Sequence, residues 1–299
     1  MKRPRAILTV ILVALVVAAA ESALVARYFA DPSRMTTNFS PALLRRELTS
    51  LAASPRRVVL LGDSVVWGYR LAAGQTAASL LQSRGIPARN LAFKAGSPAN
   101  YYAVSRLLIA AGVRPQCIVL EINQKTFNQA DSAYQTLHPA VASLAYPLLD
   151  APDRALLGLA RPSAGIGPRL DGMLSSVWLP YALRTDVRDT LYGENDAAPV
   201  SATGPDAFEG TYDLAPLGAD NVAVHFLGET ARVLRDAGVP VLAFMTPTNH
   251  ALLHDYIDNK QYRANGNYLK TLLRGYGARV LDLDTLLQRN DFLDNDHLT

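Results

Sequence analysis

At 299 residues the chain is long enough to bury a full hydrophobic core, and 29 Lys and Arg against 26 Asp and Glu leave a net charge of only +3. The basic residues are scattered rather than clustered, which argues against a nucleic-acid partner. Cys117 is the only cysteine, so an intramolecular disulfide and a cysteine-based zinc site are both excluded; it reads as a small hydrophobe in a buried strand.

Lys2, Arg3 and Arg5 precede an apolar run from Ala6 to Ala20, followed by Glu21-Ser22 and a second apolar stretch to Ala26. A positive flank ahead of such a run keeps the N-terminus in the cytoplasm. Continued through Ala26, the run has the roughly 20 residues that cross ~30 Å of hydrocarbon. Ala18-Ala19-Ala20 also suits signal-peptide cleavage. Residues 1–30 are therefore expected to be a membrane anchor or a signal peptide, and either places the remainder outside the cytoplasm. Residues 31–54 read as a linker (Asp31-Pro32-Ser33) leading into a polar helix around Leu43 to Leu48.

From residue 55 the rhythm changes. Val58 to Leu61 is a short continuous apolar run, as expected of a strand buried on both faces. A helix follows over Ala77 to Gln82, a second strand near Asn90 to Phe93, a helix over 101–111 and a third strand over Cys117 to Ile122. The alternation resumes with a helix over 221–237, a strand over Val239 to Phe244, a helix over Leu269 to Tyr276 and a last strand over Arg279 to Leu283. Strands alternating with helices predict a three-layer α/β/α domain over 55–299, built on a parallel sheet of flavodoxin-like type. Ligands of such sheets bind at the carboxyl ends of the strands. The stretch from about 127 to 221 breaks the rhythm. It holds Pro139, Pro147, Pro152, Pro162, Gly165, Gly167 and Pro168, with Trp178, Tyr181, Tyr192 and Tyr212 among them. A structureless loop of that length is improbable, so a partly helical insertion is expected, either capping the strand ends or packing as a separate subdomain.

The first strand runs directly into Gly62-Asp63-Ser64. A serine at a strand-to-helix turn projects its hydroxyl at the carboxyl edge, and its own N–H points toward developing negative charge. Such a hydroxyl needs a base, and the base needs an orienting carboxylate. Asp294-Asn295-Asp296-His297 supplies both, since an Asp three residues before a His can reach back to its ring. His138, His225 and His254 have no companions at ligand spacing, so they read as structural or surface residues and no metal or other cofactor is inferred. A nucleotide-binding alternative lacks the glycine-rich phosphate loop at the first strand.

Val58 to Gly68 resembles the first conserved block of the SGNH/GDSL hydrolases, in which the serine of Gly-Asp-Ser is the nucleophile. Phe93-Lys94-Ala95-Gly96-Ser97 is similar to the second block and Glu121-Ile122-Asn123-Gln124 to the third, although only Asn123 of the usual Gly-x-Asn-Asp is kept. Asp294 and His297 match the fifth. The resemblance covers about 56–125 and 239–299. It implies a Ser64–His297–Asp294 triad and an oxyanion hole built from the N–H groups of Ser64 and Gly96 and the Asn123 side-chain amide. Glu121, where the family has glycine, is expected to have a structural role, such as pairing with an arginine.

Glu-Ile-Asn, and Met245-Thr-Pro-Thr-Asn-His250 after the fourth strand, look like membrane-anchored envelope members of the D-alanyl transfer or alginate O-acetylation type. In that setting Asn249 and His250 are candidate substrate-binding residues, with a strand-to-helix turn and an Asn cap as the alternative. The implied activity is that of an envelope esterase or O-acyltransferase acting on an acyl ester of a glycan, with a membrane acyltransferase as a possible partner. A non-catalytic glycan- or partner-binding protein is the rival. Relatives continue from His-Leu-Thr into a final helix, so His297 is expected to be weakly held here.

Overall fold

The structure is a computed structural model that describes residues 3–28, 41–54, 57–72, 74–131, 134–160, 166–184, 187–188, 191, 210–212 and 214–299. The linker expected at 31–40, and Pro162, Gly165 and Tyr192 of the insertion, lie outside the described residues.

Five strands form one parallel sheet: β1 (Val58–Leu61), β2 (Ala88–Asn90), β3 (Cys117–Ile122), β4 (Val241–Met245) and β5 (Arg279–Asp282). Their order is β2-β1-β3-β4-β5, so the chain reverses its direction of travel between β1 and β3. A crevice opens at the carboxyl ends of strands where the order reverses in this way. The expected flavodoxin-like α/β/α architecture is the one found. The second strand begins earlier than its apolar residues suggested: Ala88, Arg89 and Asn90 hold the register with Val58, Val59 and Leu60, and the Leu91 and Phe93 N–H groups still donate to the Leu60 and Gly62 carbonyls at 2.9 and 3.1 Å.

Strand alternation sends successive side chains to opposite faces. Val59, Leu61, Ile118, Leu120, Ala243 and Met245 face the larger core, with α5 (Pro98–Ala110), α10 (Val222–Asp236) and α12 (Lys260–Gly275) packed over them. Leu60, Val119 and Phe244 face the other way, toward Val66 of α3 (Ser64–Trp67) and Ala78 of α4 (Ala77–Ser83). That second layer is thin over β4 and β5, where Phe244 is half-buried and Leu281 exposed. Cys117 is half-buried in β3, less enclosed than expected.

Helix α1 (Arg3–Tyr28) contains a 22-residue apolar stretch, Ile7–Tyr28, long and apolar enough to cross a membrane or to serve as a signal sequence. Helix α2 (Pro41–Ala53) packs Leu44, Leu48 and Leu51 into the main core. The insertion contributes α6 (Pro139–Ala145), α7 (Ala151–Leu156), α8 (Ile166–Val177) and α9 (Leu179–Ala182). Of these, α6 lies on α5 and α2, α8 on α2, and α9 against α1. Among the described residues these helices pack on other helices, while Tyr212 near the end of the insertion reaches the histidine hairpin, its hydroxyl accepting from the Asn295 side chain at 3.2 Å.

The two ends of the insertion are stapled together. Asn128 donates to the carbonyls of Gly210 and Thr211 at 2.6 and 3.1 Å. Asn221 donates to the Phe127 carbonyl at 2.9 Å while its Oδ1 accepts from the Val224 N–H at 3.1 Å and so caps α10. Asn221 is buried, so its loss strands a carbonyl and a helix-terminal N–H together. Asn221→Ala is expected to lower stability by about 2–4 kcal/mol, the sum of a cap and a buried hydrogen bond. Denaturant unfolding checks this, and a change below about 1 kcal/mol would show that neither bond matters.

Candidate active site

Asp63 and Ser64 follow β1 where the strand meets α3. Asp63 is the N-cap of that helix, its Oδ1 accepting from the Val65 N–H at 2.8 Å. The turn is tight because residue 62 has no side chain: a Cβ there would fall on Glu121 Oε2 and against Val66. Gly96 meets the same constraint from the other side, since its Cβ would fall on the Gly62 carbonyl. The absent methyl groups let the loop after β2 press against the serine turn.

His297 Nε2 lies 2.7 Å from Ser64 Oγ, and its Nδ1 lies 2.7 Å from Asp294 Oδ2. Asp294 is held below the ordinary carboxylate range: burial alone would raise it, but hydrogen bonds and charge from the His297 ring and the backbone N–H groups of His297 and Asp296 outweigh burial. An ionised Asp294 only accepts, so Nδ1 carries the proton and Nε2 is free to accept from the serine hydroxyl.

The weak anchoring expected of His297 is not observed. Phe292 and Leu298 form an antiparallel bridge, and Leu293 N–H donates to the His297 carbonyl at 2.7 Å. Asn249 holds this hairpin to α11 (His250–Ile257), its side chain donating to the Asp294 carbonyl at 2.9 Å and its N–H to the Asn295 carbonyl at 2.9 Å.

Behind the triad lies a buried polar cluster that sequence reasoning did not assemble. Asp63, Glu121 and Asp296 are each fully buried, and one cation, Lys125, sits among them. Lys125 Nζ pairs closely with Asp296 Oδ2 and lies 3.6 Å from Asp63 Oδ2. Asn123 donates through Nδ2 to the same two oxygens, at 2.6 Å to Asp296 and 3.1 Å to Asp63. Burial would lower Lys125, but Asp296 and Asp63 reverse that and raise it well above its ordinary value. Glu121 is pushed far above the carboxylate range by burial and by neighbouring Asp63, against hydrogen bonds from the Asp63 N–H and Thr246 and the charge of Lys125. Its partners are the Asp63 N–H at 2.6 Å and the Thr246 hydroxyl at 2.9 Å, not the arginine expected.

The expected oxyanion donors have different employment here. Both hydrogens of the Asn123 amide are taken by carboxylates, whose charge-assisted bonds are the stronger kind. The Gly96 N–H closes a turn onto the Phe93 carbonyl at 2.9 Å, with Ala95 in the left-handed region at φ 52°. The Ser64 N–H has no acceptor among the described residues. Asn249 is a helix cap and a clamp on Asp294, as its alternative reading allowed, with Oδ1 accepting from the Leu252 N–H at 3.2 Å. His250 has both ring nitrogens paired, at 3.0 Å to Asp258 and 3.1 Å to Asp284. Those hydrogen bonds, Asp284 first, hold it above its usual value.

Of the remaining histidines, His138 caps α6 and is lowered to about 4 by burial, and His225 lies 3.3 Å from Asp153. Ligand atoms of Asp294, Asp296 and His297 lie within 4.8 Å of one another, a spacing a cation could bridge. A metal there would compete with the His297–Asp294 bond.

The rim is aromatic and cationic. The Tyr69 ring lies 4.6 Å from His297, Lys94 stands 4.7 Å over Trp67, and Arg70 lies 5.3 Å from the centre of Tyr69. Arg70 is itself in the left-handed region at φ 61°, a strained placement for a non-glycine residue. The sequence carried a signal for part of the buried cluster: a second aspartate, Asp296, directly before His297, and a lysine, Lys125, two residues beyond Asn123.

No family model matches the chain, and no curated protein matches it. Among solved structures it is similar to a mutant of the esterase AlinE4, at 14% identity and TM-score 0.33, with 75% of each chain covered. It is also similar to a GDSL-like lipase from Bacteroides thetaiotaomicron, at 10% identity and TM-score 0.41, over 87% of this chain and 91% of that one.

Two outcomes follow from the buried cluster. Because burial and Asp63 raise Glu121 well above its ordinary value in the fold, this residue makes stability fall as pH rises from the unfolded value of about 4.3 toward the raised folded value. Glu121→Gln mimics the protonated acid, so its stability relative to wild type should improve between about pH 5 and about pH 8. Thermal melts at both pH values test it, and a constant difference would mean Glu121 is ionised in the fold. Asn123→Ala removes two charge-assisted bonds and should destabilise the fold by about 3–5 kcal/mol, as expected when buried charges lose partners. An unchanged unfolding midpoint would return Asn123 to the oxyanion role.

Proposed function

We propose that the chain is a serine ester hydrolase or O-acyltransferase acting outside the cytoplasm, with Ser64 as nucleophile, His297 as general base and then acid, and Asp294 as the group that orients it. The observation that carries this is the continuous Ser64–His297–Asp294 chain of contacts, 2.7 Å at each step, at the carboxyl edge of a parallel sheet. Proton transfer from Ser64 to Nε2 would accompany attack on an acyl carbonyl, and the imidazolium formed is stabilised by Asp294. His297 would then return the proton to the departing alcohol, leaving an acyl-serine. Water or a glycan hydroxyl, deprotonated by the same nitrogen, would resolve it. The Ser64 N–H, at the start of α3, is the donor available to the oxyanion.

The surroundings support a glycan ester. Trp67 and Tyr69 offer aromatic faces to a sugar ring, and Lys94 and Arg70 favour one that bears negative charge. Helix α1, with its positive N-terminal flank, would tether the domain to the outer face of the cell membrane, where a membrane acyltransferase could serve as partner.

A second reading is that of a non-catalytic protein that binds a glycan or acyltransferase in this cleft, and it has its own observation: the Asn123 and Gly96 donors are already engaged. A fluorophosphonate probe separates the two. The enzyme reading expects labelling of wild type at Ser64, none of Ser64→Ala, and a loss of several orders of magnitude in kcat on a chromogenic acetyl ester. Unlabelled wild-type protein that still binds glycan would establish the second reading instead.

A further inference from the structure

Helix α8 carries an exposed apolar face. Leu170, Met173 and Val177 are 49%, 54% and 75% exposed, and at 3.6 residues per turn they fall within an arc of about 60°. Trp178 follows directly and is also exposed. Beyond it, Tyr181 stacks with Trp178 at 6.3 Å and carries Arg184 over its ring at 4.3 Å. Such a sequence of apolar, then aromatic, then cationic side chains matches the polarity gradient from acyl chains to headgroups.

The position of α1 says what covers this face. Helix α1 packs against α9, and its half-buried residues, Ala18, Ser22, Val25 and Ala26, share one side. Their span is eight residue rises, about 12 Å. The whole stretch Ile7–Tyr28 is about 33 Å long, matching a bilayer's ~30 Å apolar thickness. The side of α1 that meets the domain therefore lies within the membrane-spanning length, so α9 cannot stand clear of lipid when α1 crosses a bilayer. Next to it, a cavity of about 320 Å³ between α2, α8 and α9 is lined by Arg45 and Arg46 together with Val177 and Leu179. Two exposed cations beside apolar side chains complement an anionic headgroup.

We propose that α8 and α9 form a wedge that enters the outer leaflet of the bilayer crossed by α1, with Leu170, Met173, Val177 and Trp178 among the acyl chains and Arg45 and Arg46 at the phosphates. The proposal rests on α1 being an uncleaved anchor. It gives the domain two points of attachment, which fixes the height and tilt of the Ser64 cleft above the membrane.

Trp67 and Trp178 are the two tryptophans, so Trp67→Phe in the full chain leaves Trp178 as the sole reporter. The protein is reconstituted into phosphatidylglycerol-containing vesicles whose acyl chains carry bromine at shallow or deep positions. The expected result is loss of Trp178 fluorescence to shallow bromine, less to deep bromine, and protection from aqueous iodide. Adding Met173→Asp and Val177→Asp, both at exposed positions, should relieve the quenching without altering the melt. Extraction at alkaline pH reports separately on α1. If the chain is extracted, the anchor and the wedge fall together. If it stays with the vesicles while Trp178 ignores bromine and is quenched by iodide, or if the double aspartate variant is quenched as before, the wedge alone is overturned.

Discussion

The site depends on keeping three carboxyl groups out of water. Asp63, Glu121 and Asp296 are buried within reach of one lysine, a costly arrangement unless each oxygen is matched to a donor or proton. Lys125 and Asn123 bridge Asp63 to Asp296, and thereby join the turn after β1 to the hairpin that carries His297. Glu121 accepts from the Asp63 N–H and the Thr246 hydroxyl, and burial together with Asp63 raises it well above its ordinary value. The serine turn and the histidine hairpin come from opposite parts of the chain, and this cluster fastens one to the other. The short contacts of the triad are a consequence of that fastening.

The same cluster explains why the loop glycines matter. Glu121 reaches Asp63 because Gly62 leaves the space open, and the loop after β2 approaches because Gly96 does the same. Ala95 and Arg70 accept left-handed backbone on either side of the turn. Strain of that kind persists only where the surroundings over-determine the conformation. Here the fixed points are the helix cap made by Asp63 and the ion pair beneath it.

Much of the fold was legible in the sequence because buried parallel strands write themselves as short apolar runs. Val58 to Leu61, Cys117 to Ile122 and the run from Val239 to Phe244 needed no other signal. Ala88 to Asn90 was misplaced because a three-residue strand containing an arginine and an asparagine has no such signature. The meeting of Ser64, His297 and Asp294 was legible because a serine after a strand and an Asp-x-x-His announce local geometry. The employment of Asn123 was not, since its partners lie 60 and 173 residues away. Resemblance named a role for that amide, but a side chain with two N–H groups serves the carboxylates that reach it first. The insertion was legible as an interruption only, because the contacts of α6 and α8 with α2 and α5 follow from packing surfaces that no local pattern records.

Ser64 and His297 are separated by 233 residues, and the order of synthesis gives that separation a meaning of its own. A chain emerges from its N-terminus and folds in that order. When β1 to β3 have been made, Ser64 is in place, but Asp63 lacks its bridge to Asp296 and Ser64 lacks its contact with His297. Until β5 and the hairpin arrive, the Ser64 hydroxyl stands without its histidine. Closure of the Ser64–His297 contact is thus deferred until the segment that follows β5 has been made.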